Sequence, residues 1–360
     1  MSNRSQSEGM SRRAFIKASG SAVAMSIAAP VYLRGGVALA AGGEIVFGAN
    51  GGSTQTLFET VFIPKFTRET GIKVTYVPGQ PADLVAKLRA QGKNAGLDVI
   101  WLAGAVTYIA VDEKLLLPFD PALIANAARI DPKIAREPAI LPVAVSGNAL
   151  TYRKDVYAKR GWTPPASWMD LWDPRFKGGH AGMYGMSVTG GVEMLLQVAR
   201  ELTGDYNKLE PAFEKFKALR PNIYDFFPTA GAWETAMQQG GLWIAVNSYT
   251  RAMQLEQAGM PIGTVLPHSG VPSHYLCAGI AQGARNVPAS HAWVNWLLSP
   301  DVQKLMVAHL GYAPATSGVE IPANIRSFIP DSSLAWFPDW RAIGARFDSI
   351  VQQWQRVVER

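Results

Sequence analysis

The sequence predicts an α/β protein made of two doubly wound lobes that are joined by a hinge. Three observations favour this fold class: the size and composition of the chain, the alternation of short apolar runs with capped helices, and two long extended runs. The chain has 360 residues, of which 48% are hydrophobic and 17% are charged. A chain of this length and composition is expected to be ordered and to divide into two lobes.

Strands and helices alternate through the first part of the chain. Residues 44–49 form an apolar run that ends in Asn-Gly-Gly, which indicates a buried strand followed by a turn. A helix capped by Ser53 or Thr54 should follow and should end at Gly71. We expect Pro64 to kink this helix. Further strands are predicted at 72–77 and 97–102, with helices over 82–91 and 106–114. This order favours a parallel, doubly wound sheet.

Two extended runs, residues 143–152 and 275–281, are long enough to cross between the lobes. Helices that begin at Pro288 and at Pro300 follow the second run. Crossing segments of this kind form a hinge, with a cleft for a ligand between the lobes. The predicted first lobe covers residues 41–147 plus about 279–311, and the second covers 148–278 plus about 312–360.

The first forty residues have the order of an export signal. A basic segment around Arg12 and Arg13 precedes an apolar stretch over 18–33, and residues 38–40 supply the small side chains that a signal peptidase accepts. The paired arginines followed by Phe-Ile-Lys resemble the twin-arginine export motif. We therefore predict a twin-arginine signal peptide over residues 1–40, which is cleaved to leave a periplasmic protein. An ordinary secretory leader and an uncleaved anchor are the alternatives.

The basic charge of the chain lies mostly in this leader. The net charge is +6 at pH 7, and the first forty residues hold five basic residues and one acidic residue. The remainder has no run of Lys and Arg with interleaved aromatic residues, so we expect no nucleic-acid partner. Cys277 is the single cysteine, so an internal disulfide is impossible, and its apolar surroundings predict a buried, inert thiol.

The sequence lacks the common catalytic and metal-binding patterns. Its five histidines form neither an H-E-x-x-H motif nor a close pair, and no G-x-S-x-G elbow or phosphate-binding glycine loop is present. We therefore predict no cofactor, no metal and no enzymatic activity. An exported enzyme on a similar two-lobed fold remains the alternative from another class, and an extracytoplasmic sensor is a weaker one.

Residues 152–178, with the run Gly-Trp-Thr-Pro-Pro-Ala-Ser-Trp at 161–168, resemble the hallmark stretch of bacterial extracellular solute-binding proteins of ABC importers. The resemblance extends over residues 44–316. Within the family it is most specific to the spermidine/putrescine cluster, with iron and phosphonate binders as relatives. It implies the type II periplasmic-binding-protein fold, in which hinge closure traps a small solute for delivery to a membrane permease. We expect the protein to act as a monomer.

In that family the ligand groups come from strand-to-helix turns that face the cleft. Three such turns here carry hydroxyls, glycines and Arg251, and a helix start favours an anionic group. The expected ligand-binding residues are Asn50, Gly52, Ser53, Thr54, Ser187, Thr189, Gly190, Ser248, Tyr249, Arg251, His274 and Tyr275. Simpler roles are open for some of them. Ser53 and Thr54 could be helix caps, Gly190 could ease a turn, and Arg251 could pair with Glu256 or Gln254 in solvent.

Departures from the family pattern bear on the ligand. Polyamine binders place carboxylates and tryptophan around the amines, whereas this chain has Ser187 and Thr189 in one turn and Leu276 near the second crossing. Iron binders use adjacent tyrosines, whereas Tyr249 stands alone. We therefore prefer an anionic or zwitterionic solute of the phosphonate or carboxylate type, with a polyamine or ferric iron as the alternative. Further aromatic contacts could come from Tyr108, Tyr184, Phe227, Trp233, Tyr249 and Tyr275.

Overall fold

The computed structural model describes residues 31–32, 38–39, 43–134 and 137–359. Most of the predicted leader lies outside these residues, so its cleavage and its export route stay predictions. Two short strands, β1 (Val31–Tyr32) and β2 (Ala38–Leu39), fall within the leader and pair antiparallel through their backbones. None of the helices in the described ranges is long and apolar enough to cross a membrane.

Strands and helices alternate along the described chain. The strands are β1 (Val31–Tyr32), β2 (Ala38–Leu39), β3 (Glu44–Ala49), β4 (Lys73–Pro78), β5 (Val99–Ala103), β6 (Leu116–Leu117), β7 (Leu141–Arg153), β8 (Ala181–Tyr184), β9 (Ile223–Phe227), β10 (Ile244–Ser248), β11 (Ile262–Val265), β12 (Val271–Ala281), β13 (Ala313–Pro314) and β14 (Ala335–Trp336). The α-helices are α1 (Ser53–Leu57), α2 (Ile63–Thr70), α3 (Pro81–Gln91), α4 (Ala105–Asp112), α5 (Lys154–Arg160), α6 (Thr189–Thr203), α7 (Glu210–Lys217), α8 (Ala230–Gln238), α9 (Tyr249–Gln257), α10 (Val287–Leu297), α11 (Pro300–Leu305), α12 (Ala323–Arg326), α13 (Trp340–Gly344) and α14 (Phe347–Val357). Short 3-10 helices lie at Gly92–Asn94, Pro121–Leu123, Ala125–Arg129, Trp168–Trp172 and Pro174–Phe176.

The strands form a mixed sheet in the order β4-β3-β5-β12-β7-β10-β8-β9. Parallel pairs β3–β4, β3–β5 and β8–β9 make the two ends of the sheet, and β7 and β12 lie antiparallel in the middle. The α/β class with two doubly wound lobes is therefore confirmed. We call β7 and β12 the crossing strands. Residue 147 of β7 faces β12 and residue 148 faces β10, so the strand changes partner there. The lobe boundaries themselves stay a prediction.

Each lobe has its own core. In the first, Phe47 lies at the centre of an aromatic cluster with Phe58, Tyr76, Trp101 and Trp293. The core of the second lobe is built around Trp168, Phe176, Phe213, Trp340 and Trp354, so the C-terminal helices pack into it. Aromatic residues bury large areas and pack edge to face, so these clusters stabilise each lobe separately.

The helix over 53–70 differs from the sequence expectation in one detail. Residues 58–62 form a π-helical turn between α1 and α2, immediately before Pro64. Proline has no N–H to donate and its ring crowds the preceding turn, which favours a wider turn at this point of the helix. The kink at Pro64 stays a prediction. Cys277 is buried, and burial raises the pKa of its thiol to about 12, as expected for an inert cysteine.

Candidate functional site

A cavity of about 60 Å³ lies between the two lobes, and the crossing strands form its floor. The residue that follows β3, the start of α3 and the end of β5 line it from the first lobe. Residues from β8, α6, α8, β10 and α9 line it from the second. The lining residues are Asn50, Gln80, Pro81, Ala103, Ser146, Asn148, Tyr184, Val188, Thr189, Gly190, Glu193, Ala230, Ser248, Thr250, Arg251, His274, Leu276 and Tyr312.

The register of the crossing strands determines which of their side chains face the cavity. Ser146 lies opposite His274, and Asn148 lies opposite Ser248. Successive strand residues point to opposite faces, so Ser146 and Asn148 share the cavity face of β7 while the intervening residue turns away. The same alternation directs His274 to the cavity and Tyr275 to the other face, where the Tyr275 ring stacks on Phe337 at 4.6 Å.

Glu193 and His274 form a buried pair at the cavity wall. His274 Nδ1 lies 2.7 Å from Glu193 Oε1, and the glutamate side chain is 0% exposed. The other oxygen, Glu193 Oε2, is buried and has no hydrogen-bond partner in the described parts of the chain. Burial raises the pKa of the Glu193 carboxyl, and the neighbouring His274 opposes that shift only in part.

Asn148 is fixed beside the first turn of α6. Its Nδ2 donates to the Gly190 carbonyl at 2.8 Å, while its Oδ1 is buried and unpaired among the described residues. A Cβ on Gly190 would lie 2.7 Å from Asn148 Oδ1 and 2.8 Å from the Tyr184 ring. Glycine at this position therefore allows Asn148 and Tyr184 to pack closely against the first turn of α6.

Arg251 connects the lobes. Ser248 caps α9, and the Arg251 side chain is only 4% exposed. Its Nη1 donates to Glu234 at 2.8 Å and to Ser53 Oγ, and its Nη2 donates to the Gly51 carbonyl at 2.9 Å. The alternative of a solvated Arg251 paired with Glu256 is wrong, because the arginine is buried against Glu234 and Glu256 pairs with Lys154 instead.

Half of the residues predicted for ligand binding line the cavity: Asn50, Thr189, Gly190, Ser248, Arg251 and His274. They come together because α6 and α9 both begin at the cavity, and β3 ends there. The Thr189 hydroxyl donates to the Ala103 carbonyl across the cleft at 3.4 Å. Of the additional aromatic candidates, Tyr184 lines this cavity and Tyr108, Phe227 and Trp233 do not.

The structure does not bring the other six to the cavity: Gly52, Ser53, Thr54, Ser187, Tyr249 and Tyr275. Gly52 and Ser53 lie at the outer edge of the lobe contact, where Ser53 Oγ donates to Glu234 at 3.1 Å. Thr54 is buried within the first turn of α1. Ser187 is exposed, and its hydroxyl donates to the Pro228 carbonyl. Tyr249 is buried in the core, where its hydroxyl donates to the Val145 carbonyl at 2.9 Å.

Sequence reasoning missed Glu193, Asn148, Ser146 and Tyr312. A signal for Glu193 exists, because it lies three residues after Gly190 and therefore on the same face of α6. Asn148 and Ser146 are polar residues in an otherwise apolar crossing strand, which also indicates a site. No group of three His, Cys, Asp or Glu side chains suitable for a metal occurs within the described ranges.

Two lobes around a small cavity, with a sheet whose long strands cross between them, define the two-lobed class of binding-protein folds. Residues 62–327 match the family described as bacterial extracellular solute-binding proteins. The chain belongs to this family. It is accordingly a solute-binding protein and not an enzyme, which removes the alternative of an exported enzyme.

Individual proteins that are similar to this chain are also solute-binding proteins. The spermidine/putrescine-binding periplasmic protein of Escherichia coli (strain K12) is 25% identical over 313 residues, which cover 81% of this chain and 86% of that protein. A candidate 2-aminoethylphosphonate-binding periplasmic protein of Salmonella paratyphi A is 23% identical, with 82% and 86% covered. The structure of the periplasmic binding protein AfuA from Actinobacillus pleuropneumoniae has a TM-score of 0.74 at 18% identity, with 88% and 99% covered. This likeness shows the type II periplasmic-binding fold.

Proposed function

We propose that the protein is the periplasmic solute-binding component of an ABC importer, which captures a small polar organic solute by hinge closure and delivers it to a membrane permease. The observation that carries this proposal is the cavity between the lobes, which both lobes line with polar and apolar residues and which is closed over by direct contacts from Arg251 and Thr189 to the first lobe. A binding site shared by two lobes couples solute binding to closure. The proposal includes export with a cleaved signal and action as a monomer.

We propose a small zwitterion as the ligand. The cavity is small, and the first turns of α6 and α9 reach it with backbone N–H groups that favour an anionic end. The buried Glu193 favours a cationic end on the same solute. Because Arg251 already pairs with Glu234, this arginine is not free to neutralise a purely anionic ligand. The relative named for 2-aminoethylphosphonate supports a zwitterion of this size.

A polyamine is the second candidate. Glu193 supports it, as do the names of the spermidine/putrescine-binding relatives. Ferric iron has less support, because the hydroxyl of Tyr249 is turned into the core.

Thermal unfolding with a panel of solutes tests the proposal. The panel contains 2-aminoethylphosphonate, 4-aminobutyrate, putrescine, spermidine and ferric citrate. A solute at one hundred times its Kd should stabilise the folded protein by about 2.7 kcal/mol. We expect one of the zwitterions to raise the melting temperature most. A panel in which every solute leaves the melting temperature unchanged would contradict the proposal.

A further inference from the structure

We propose that Asn50, Asn148 and Glu193 form a subsite that binds one primary ammonium group of the solute through its three N–H bonds. This inference rests on the proposed function, because it places one end of the captured solute in the cavity. The subsite consists of three residues that line one cavity, each of which holds a buried acceptor oxygen with no hydrogen-bond partner among the described residues: Asn50 Oδ1, Asn148 Oδ1 and Glu193 Oε2.

The orientation of Asn148 follows from its hydrogen bond. A backbone carbonyl can only accept, so the atom next to the Gly190 carbonyl must be the amide nitrogen of Asn148. The amide oxygen is thereby left as the open group, and the residue is 1% exposed. Buried polar atoms normally have partners, so an oriented and unpaired acceptor at a cavity wall indicates a donor on the ligand.

Glu193 adds charge to the same subsite. One of its oxygens is held by His274 at 2.7 Å, which fixes the carboxyl and leaves Oε2 open. A buried carboxylate requires a compensating charge, and an imidazole on one oxygen supplies that only when it is protonated. A cationic donor at Oε2 would supply it directly.

A primary ammonium matches this set better than other donors. It carries three N–H groups and one positive charge on a compact atom, whereas a hydroxyl offers a single donor and no charge. A guanidinium presents its donors in a plane and is larger. Tyr184 and Tyr312 also line the cavity and could offer their rings to a cation.

The subsite also joins the two lobes. Asn50 follows β3 of the first lobe, Asn148 lies on a crossing strand, and Glu193 lies on α6 of the second lobe. An ammonium that bonds to all three is held fully only when the cleft is closed. The solute would therefore favour closure through its amino end.

Titration calorimetry with matched solutes tests this assignment. The probes are 4-aminobutyrate, butyrate, trimethylated 4-aminobutyrate, 2-aminoethylphosphonate and ethylphosphonate. We expect a primary amine to bind at least about tenfold more tightly than its deaminated partner, since a hydrogen bond to a charged group contributes this much. The trimethylated compound keeps the charge but has no N–H, and it should bind as weakly as butyrate.

Variants locate the effect. Glu193→Gln should lose about tenfold or more in affinity for the amine and little for the deaminated compound. Asn50→Ala, at the lobe surface, serves as a second variant that leaves both cores intact and should also weaken amine binding. The control is Glu210→Gln, an exposed acid at the start of α7, which should bind like the wild type. Equal binding of amines and deaminated compounds would overturn the subsite and leave the proposed function standing. Failure of all five probes to bind would contradict both.

Discussion

Glu193 is a buried acid whose ionisation should affect the stability of the solute-free protein. The titratable side chains that line the same cavity are His274, Tyr184, Arg251 and Tyr312, and Tyr249 lies close enough to interact with the carboxyl. Burial raises the pKa of Glu193 above its ordinary value of 4.5, so the folded protein holds this proton more tightly than the unfolded chain.

The pH dependence follows from that difference. As pH rises through 4.5, the unfolded chain releases the Glu193 proton first, which favours unfolding. The wild type should therefore lose stability relative to Glu193→Gln as pH rises above this value, and the difference should level off above the raised pKa of Glu193. Urea unfolding of both proteins from pH 4 to 8 measures it. A difference that is flat with pH, or that grows in favour of the wild type, would contradict the buried position of the carboxyl.

Gly190 gives a second prediction about a single residue. A methyl group at this position would meet Asn148 Oδ1 at 2.7 Å and the Tyr184 ring at 2.8 Å, so Gly190→Ala should displace both from the cavity wall. We expect a loss of about 1–3 kcal/mol in stability and a clear loss of solute affinity. Gly231 on α8 is the matched control, because a Cβ there meets nothing within 4 Å. Equal calorimetric affinities for the two alanine variants would show that Gly190 has no role at the site.

At the scale of elements, α1 and α9 meet across the cleft at the edge of the cavity, through Arg251, which lines it. Arg251 of α9 donates to the Gly51 carbonyl and to Ser53, and Ser53 also donates to Glu234 of α8. These contacts lie between the lobes and do not involve the cavity floor. They should therefore stabilise the closed form whichever solute is bound.

Ser53→Ala tests this role. Removal of the hydroxyl should shift the equilibrium toward the open form by about 1 kcal/mol, which is about fivefold in population. Apparent solute affinity should fall by at most the same factor, because only the closed fraction binds tightly. Small-angle scattering should give a larger radius of gyration for the solute-free variant than for the wild type. Thr56→Ala, on the same helix and exposed, is the control. An unchanged radius together with unchanged affinity would exclude the contact as a closure element.

The elements were easier to predict from the sequence than the site. Apolar runs and capping residues located β3, β5, α3 and the long crossing strands, because periodicity and turn chemistry are local properties. The side-chain directions of Tyr249 and Tyr275 depend on how a helix or strand is rotated against its neighbours, which is a tertiary property. Glu193 was missed for the same reason. A single acid on a helix is normally solvated, and here the burial comes from packing against His274.

At the scale of the whole molecule, the crossing strands join two rigid cores. The hydrogen-bonded neighbour of β7 changes from β12 to β10 next to Gly147. A Cβ on that glycine would lie 2.6 Å from the Pro272 carbonyl. The close approach of the two strands makes this a compact point about which the lobes can turn. The C-terminal helices add a second link, since Trp340 packs in the second lobe while Arg341 pairs with Asp112 and Glu137 of the first. Both features are consistent with limited opening about a fixed axis.

We infer that the two lobes hold one small amine-bearing solute and release it unchanged. Native mass spectrometry of the protein isolated from the periplasm tests this most directly. We expect a single adduct of one solute per chain, which is released on unfolding as an intact primary amine and rebinds when it is added back. A protein that carries no adduct and acquires none from a periplasmic extract, or one that returns a chemically altered molecule, would contradict it.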